Sequence, residues 1–254
     1  MRKRFFFAAV MLLSVCSLCL ISCGDDKDDV KPKDTEVVTP DEEEGKEDCD
    51  EDIDGAVDLG LSVKWATCNL GASKPEEFGD YYGWGCVEPY GENDYVDLPF
   101  YFKMLGGTGT ESKDFGTEKD PLCEYFVNQD RSFSGTKWDA ARRKLGGKWR
   151  MPTVDEISDL VHNCDWTWTS VNGVNGYIVS NKSDASKYIF IPAAGYRESE
   201  AVFSSVGWLG LYWSANSYSY DCVYCAYNMF FLDDTQFFGS GDRAEGYPIR
   251  PVTD

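Results

Sequence analysis

The stretch from Gly146 to Leu160, Gly-Gly-Lys-Trp-Arg-Met-Pro-Thr-Val-Asp-Glu-Ile-Ser-Asp-Leu, constrains the fold more than any other part of the chain. Gly146 and Gly147 end whatever helix precedes them, because glycine takes the left-handed conformation at little steric cost. Pro152 pushes Met151 out of the helical region. Thr153 with Glu156 three residues on spells a capping box: the Thr oxygen accepts an early helical N–H while Glu reaches back to the cap. Ile157, Leu160 and Val161 then fall on one helix face. The pattern predicts a short helix over Trp138–Leu145 with a basic last turn that suits its dipole. A sharp corner follows, then a second helix to about Asn163.

The 200 residues from Gly55 to Asp254 are enough for one buried core. Val57, Leu59, Leu61, Val63 and Trp65 alternate and predict a strand running through Gly60. Gly79 to Gly85 mixes glycine with aromatics but lacks the lysine of a phosphate loop, which reads as tight backbone under rings. Residues 86–135 hold no sustained period and read as a long excursion with one short helix. After the second helix the chain reads as antiparallel sheet, with Asn172-Gly173 and Asn175-Gly176 as hairpin turns. Strands are expected over 177–179, 188–191, 210–214, 226–231 and 248–252, with Asp233-Asp234 as a turn. Two central helices, an opening strand region and many late strands mean an α+β fold.

At the other end, Arg2, Lys3 and Arg4 precede an uncharged apolar run from Phe5 to Ile21, the order of a secretory signal peptide. Seventeen residues lie at the short end of what spans a bilayer. Leu20-Ile21-Ser22-Cys23 resembles the lipobox of bacterial lipoproteins, which implies removal of residues 1–22, acylation of Cys23 and an outer-membrane lipid partner. More than one acyl chain makes the anchoring stable, each buried methylene adding about 0.8 kcal/mol. From Gly24 to Asp54, sixteen Asp or Glu stand against four Lys. Residues 23–54 are therefore expected to form a lipidated, disordered acidic tether. The acids after Cys23 resemble the surface-export signal of Bacteroidetes-type lipoproteins, which implies display facing the cell exterior. Of the total charge of −20, the tether carries −12 and residues 55–254 carry −11. An acidic head argues against nucleic acid, which needs a basic footprint.

Val57-Asp58-Leu59-Gly60-Leu61-Ser62-Val63-Lys64-Trp65-Ala66-Thr67-Cys68-Asn69 resembles the opening of the Fibrobacter succinogenes major paralogous domain of bacterial surface lipoproteins. Gly147 to Thr153, Ile191 to Arg197, Leu211 to Ser214 and Gly246 to Val252 resemble its later blocks, in order. That family is similar to formylglycine-generating enzymes and to C-type-lectin-like domains. The resemblance implies a C-type-lectin-like mixed fold over 55–254: two helices on a twisted, mostly antiparallel sheet, with first and last strands adjacent. In this reading Trp149, Arg150, Pro152, Thr153 and Glu156 are structural, and capping and burial account for their types.

No catalytic set stands out. His162, the single histidine, falls near the end of the second helix, where a cation suits the dipole. No His-Glu-x-x-His metal motif occurs, and no cofactor or metal is expected. Cys222-Val223-Tyr224-Cys225 has redox or metal spacing, and the formylglycine-generating relatives hold copper with two late cysteines, though at a wider spacing. In an extended strand positions three apart face opposite ways, so each cysteine is expected to bond elsewhere or pack. Export permits disulfides, and Cys68 with Cys164 is the pairing preferred. Tyr218, Tyr220, Tyr224 and Asn228, in a stretch rich in Tyr, Ser and Asn, have the composition of a binding loop. Tyr227 and Phe231 read as core or cross-strand partners. The sequence thus points to a displayed, non-catalytic module that binds an extracellular glycan or protein. A copper or cysteine oxidase and a structural subunit of a surface assembly are the alternatives.

Overall fold

The computed structural model describes residues 55–127, 131–198, 203–219 and 221–254. Residues 1–54, on which the expectations of a signal peptide, an acylated Cys23 and a tether fall, and Tyr220 lie outside the described residues. Strands β1 (Ala56–Val57) and β2 (Lys64–Ala66) open the head. Helices α1 (Leu98–Met104), α2 (Glu124–Val127), α3 (Ala140–Leu145) and α4 (Val154–Asn163) follow. Next come β3 (Cys164–Val171), β4 (Val174–Asn181), β5 (Asp184–Pro192), β6 (Tyr196–Arg197) and β7 (Phe203–Ser204). The chain closes with β8 (Gly210–Ser219), β9 (Cys222–Leu232), β10 (Thr235–Asp242) and β11 (Val252–Thr253). These strands pair antiparallel in small sheets, ordered β1-β2-β11, β3-β4-β5, β10-β9-β8 and β6-β7, so the fold is α+β. No helix among the described residues is long and apolar enough to cross a membrane.

The corner forms as its residues dictate. The Thr153 hydroxyl accepts the Glu156 N–H at 3.3 Å, and the Glu156 carboxylate accepts the Thr153 N–H at 2.8 Å. Arg150 donates to both Glu156 oxygens at 2.9 and 2.6 Å and to Asp254 at 2.8 Å, tying the cap to the C-terminal residue. Gly146 and Gly147 take φ of 70° and 53°. Asp139 caps α3 by accepting the Arg142 N–H at 3.0 Å, and its other oxygen accepts from Met151 at 2.8 Å. One buried carboxylate thus fixes the helix on one side of the corner to the segment entering α4. Trp149 and Pro152 are buried, and the Pro152 carbonyl accepts the Ala215 N–H at 2.8 Å, which docks α4 onto β8.

Three local expectations are corrected. The alternation from Val57 to Trp65 spans two short strands rather than one: Asp58 accepts the Gly60 N–H at 2.8 Å and turns the chain there, while Leu59, Val63 and Trp65 still point inward. Asn175-Gly176 is not a turn but lies inside β4, opposite Pro192. A Cβ on Gly176 would come within 2.3 Å of the Ile191 carbonyl, so glycine is required by close backbone approach. The excursion over 86–135 holds α1 and α2 rather than one helix. Of the other turns, Asn172-Gly173 joins β3 to β4 and Asp233-Asp234 joins β9 to β10. The last strand does return to the start of the domain, pairing with β2 at Val252 opposite Trp65.

The β8–β9–β10 sheet divides two hydrophobic clusters, because adjacent strand residues face opposite ways. Trp213 and Ala226 face one cluster with Trp84, Tyr101, Phe102 and Phe133, and Trp213 stacks on Tyr247 at 3.9 Å. Tyr212, Met229 and Phe231 face the other, with Ile157 and Leu160 of α4 and Tyr177 and Ile191. Arg197, Arg243 and Arg250 are fully buried. Arg250 donates to Asn69 and to the Ala66 and Phe190 carbonyls, so a charge in the block Gly246–Val252 serves as a backbone clamp.

Candidate functional site

The face of the β8–β9–β10 sheet that meets α4 ends in an open cleft. Strand alternation and a register shift after Trp213 bring Tyr218 of β8 against Tyr227 of β9, rings 5.0 Å apart and edge-to-face. Phe238 of β10 extends the row, 6.3 Å from Tyr227. Across from the rings stand Arg131, Ser132 and the first turn of α4, Thr153 to Asp155. The cleft holds about 470 Å³ and opens to the surface. Its walls are tied together: Ser132 bridges to Asn216, the Ser217 N–H donates to the Arg131 carbonyl at 2.8 Å, and Asn216 accepts the Val154 N–H at 3.0 Å. Arg131 reaches the Tyr218 carbonyl at 3.4 Å. The cleft therefore sets an aromatic wall against a wall of guanidinium, carboxylate, hydroxyl and amide groups.

The predicted ligand residues do not all gather here. Tyr218 lines the cleft and is 37% exposed. Tyr224 is 47% exposed but stands with Phe115, 6.4 Å away, beside the cluster under the other face. Asn228 is a correction: it is 1% exposed on that same inner face, opposite Trp213, with neither amide atom hydrogen-bonded among the described residues. It has no route to a surface ligand. Tyr220 lies outside the described residues. Tyr227, read as a cross-strand partner, is that and also lines the cleft. The cleft also takes in Arg131 and Asp155, which no sequence pattern marks as ligand residues. Arg131 sits in a segment without periodicity, and an acid in a first helical turn is already explained by the helix dipole.

The cysteines also differ from expectation. Cys222 and Cys225 bond to each other, Cα atoms 5.3 Å apart. The β8–β9 register shifts between Ser217 and Ser219, so the ladder is irregular there and the two side chains are not held to opposite faces. Cys68, Cys86, Cys123 and Cys164 are free thiols, so the Cys68–Cys164 pairing is not made. Cys68 lies against the Thr67 hydroxyl at 3.7 Å, near Arg250, whereas Cys164 is buried where burial pushes its thiol up to about 11. The neighbours that act on its charge are Asp159, Lys182 and Asp165. The Nδ1–H of His162 donates to the Ser158 carbonyl at 2.7 Å on the exposed end of α4. Among the described residues no three His, Cys, Asp or Glu side chains converge as a metal site.

Fold and cleft together define an α+β domain with an open, part-aromatic and part-polar surface site. No family model matches this sequence, and no curated protein and no solved structure matches it either.

Proposed function

We propose that this chain is a lipid-anchored, surface-displayed binding module, and that its head holds an extracellular glycan in the cleft between Tyr218–Tyr227 and the first turn of α4. The observation that carries the reading is the pairing of an aromatic wall with Arg131, Asp155 and Asn216 across about 470 Å³. A sugar ring presents one apolar face and a rim of hydroxyls, and such a site offers a partner to each. Tyr, Ser and Asn supply contact area and adaptable hydrogen bonds at low ordering cost. The lipobox at Cys23 and the acidic tether support display outside the cell. The resemblance to C-type-lectin-like domains supports the same architecture, in which late loops and strands carry the ligand.

Trp149, Arg150, Pro152, Thr153 and Glu156 act in this account by holding α4 beside β8. The experiment is a glycan array probed with the full chain in non-ionic detergent, alongside Tyr218→Ala and Tyr227→Ala. Binding by the parent and its loss in both variants supports the reading. Undiminished binding in both ends it.

A further inference from the structure

We infer that the outer edge of β10 is a docking strand for an extended peptide whose ends carry Lys or Arg. This surface adjoins the cleft through Phe238 but does not depend on the glycan reading. β10 is the last strand of its sheet. Thr235 pairs with Leu232 across the two-residue turn Asp233-Asp234, which makes that pair, and every second pair after it, the hydrogen-bonded kind. The N–H and C=O groups of Gln236, Phe238 and Ser240 therefore point away from β9. Among the described residues nothing hydrogen-bonds to these groups. α4 packs on the face that carries Met229 and Phe231 and approaches β10 there, while Phe238 and Ser240 stay exposed.

The strand carries few of the devices that close an edge. From Thr235 to Gly241 it contains no Pro and no charged residue. Phe237 and Phe238 are exposed on its two faces, 44% and 40%. Phe237 is held in place by stacking on Phe230 at 4.5 Å, and Phe238 by Tyr227. A strand laid along this edge would gain main-chain bonds at Gln236, Phe238 and Ser240 and find one ring on each side for its alternate side chains.

Charge names the partner. Asp233 and Asp234 stand at one end of β10 and Asp242 at the other. From Glu198 to Asp242 the chain holds six Asp or Glu and no Lys, Arg or His. A second copy paired antiparallel about Phe238 would set Asp234 against the other copy's Asp242 at both ends, and like charges directly opposite are unfavourable. A short uncharged strand with a basic residue beyond each end meets complementary charge instead.

The probe is the synthetic, capped peptide Lys-Lys-Thr-Val-Ser-Val-Thr-Lys-Lys with a fluorophore, titrated with full chain in detergent and read by anisotropy. Two controls separate strand pairing from charge alone: the same peptide N-methylated at alternate central amides on either register, and the Ser240→Pro chain. Binding that weakens about tenfold or more with at least one methylated register and with Ser240→Pro is expected, since each removes an edge bond. It should also weaken as salt rises. The methylated peptides keep the test valid if Ser240→Pro fails to fold. Absence of binding overturns the inference, as does equal affinity for all the peptides, which is electrostatic adhesion. So does self-association of the parent chain that Ser240→Pro abolishes, which gives the edge to a second copy.

Discussion

The buried pair of Arg243 and Asp120 gives the sharpest prediction. Both side chains have 0% exposure and meet at two points, 2.9 and 3.0 Å. The guanidinium also donates to the Val223 carbonyl at 2.9 Å and lies 4.9 Å from the Trp84 ring centre. Asp120 in turn accepts the Gly116 and Leu122 N–H groups, each at 3.0 Å. The pair thus pins the 86–135 excursion to the segment that holds Cys222–Cys225. Asp120→Ala strands a buried cation and two backbone donors, a loss of about 3–5 kcal/mol. For a head of this size that lowers the melting temperature by roughly 6–20 °C. Arg243→Met leaves the carboxylate with its two N–H partners, so it costs less by about 1 kcal/mol or more. In Asp120→Ala/Arg243→Met no unpaired charge remains, and its cost falls below the sum of the single variants. Urea unfolding followed by tryptophan fluorescence measures all three. A loss under about 1 kcal/mol for Asp120→Ala, or strict additivity in the double variant, refutes the reasoning.

Other consequences are as direct. Thr153→Ala removes the cap of α4 and should cost about 1 kcal/mol, read as a shift in urea midpoint. Gly176→Ala drives a methyl into the Ile191 carbonyl and should cost about 1–3 kcal/mol, read as a shift in urea midpoint. Burial holds the Asp139, Asp242 and Glu245 carboxyls above their usual range. The folded state then binds those protons more tightly than the unfolded one, so stability rises as pH falls from 7 through that raised range. It falls again below about pH 4, where Asp114 and Asp184, held low by the Thr110 N–H and the Ser186 hydroxyl, take up protons. Urea midpoints at pH 7, 5 and 3 check the sequence of changes, and a steady decline from pH 7 contradicts it.

How much was legible depends on how local the cause is. The corner at Gly146–Glu156 was readable because caps and glycine stops act over three or four residues. Asn175-Gly176 carries the same dipeptide signal as Asn172-Gly173, but the pairing of β4 with β5 decides it, and that pairing is remote in sequence. β10 was missed because Gly239 and Gly241 interrupt its pattern, although Gly239 lies opposite Asn228 and Gly241 makes room for the Tyr247 hydroxyl. Tyr218 and Tyr224 looked equivalent in a Tyr-rich stretch. The irregular β8–β9 register separates them, and no composition rule reports it. Arg131 enters the cleft from the excursion only because β8 pairs with it through Asn216 and Ser217.

The most direct test of the proposed site is a nitrogen-15 chemical-shift map of the full chain titrated with a sugar that the array identifies. Shifts concentrated at Arg131, Ser132, Thr153 to Asp155, Asn216 to Tyr218 and Tyr227 are predicted. Shifts centred instead on Tyr224, or on the 75% exposed Trp208, with the cleft residues unmoved, would contradict the account.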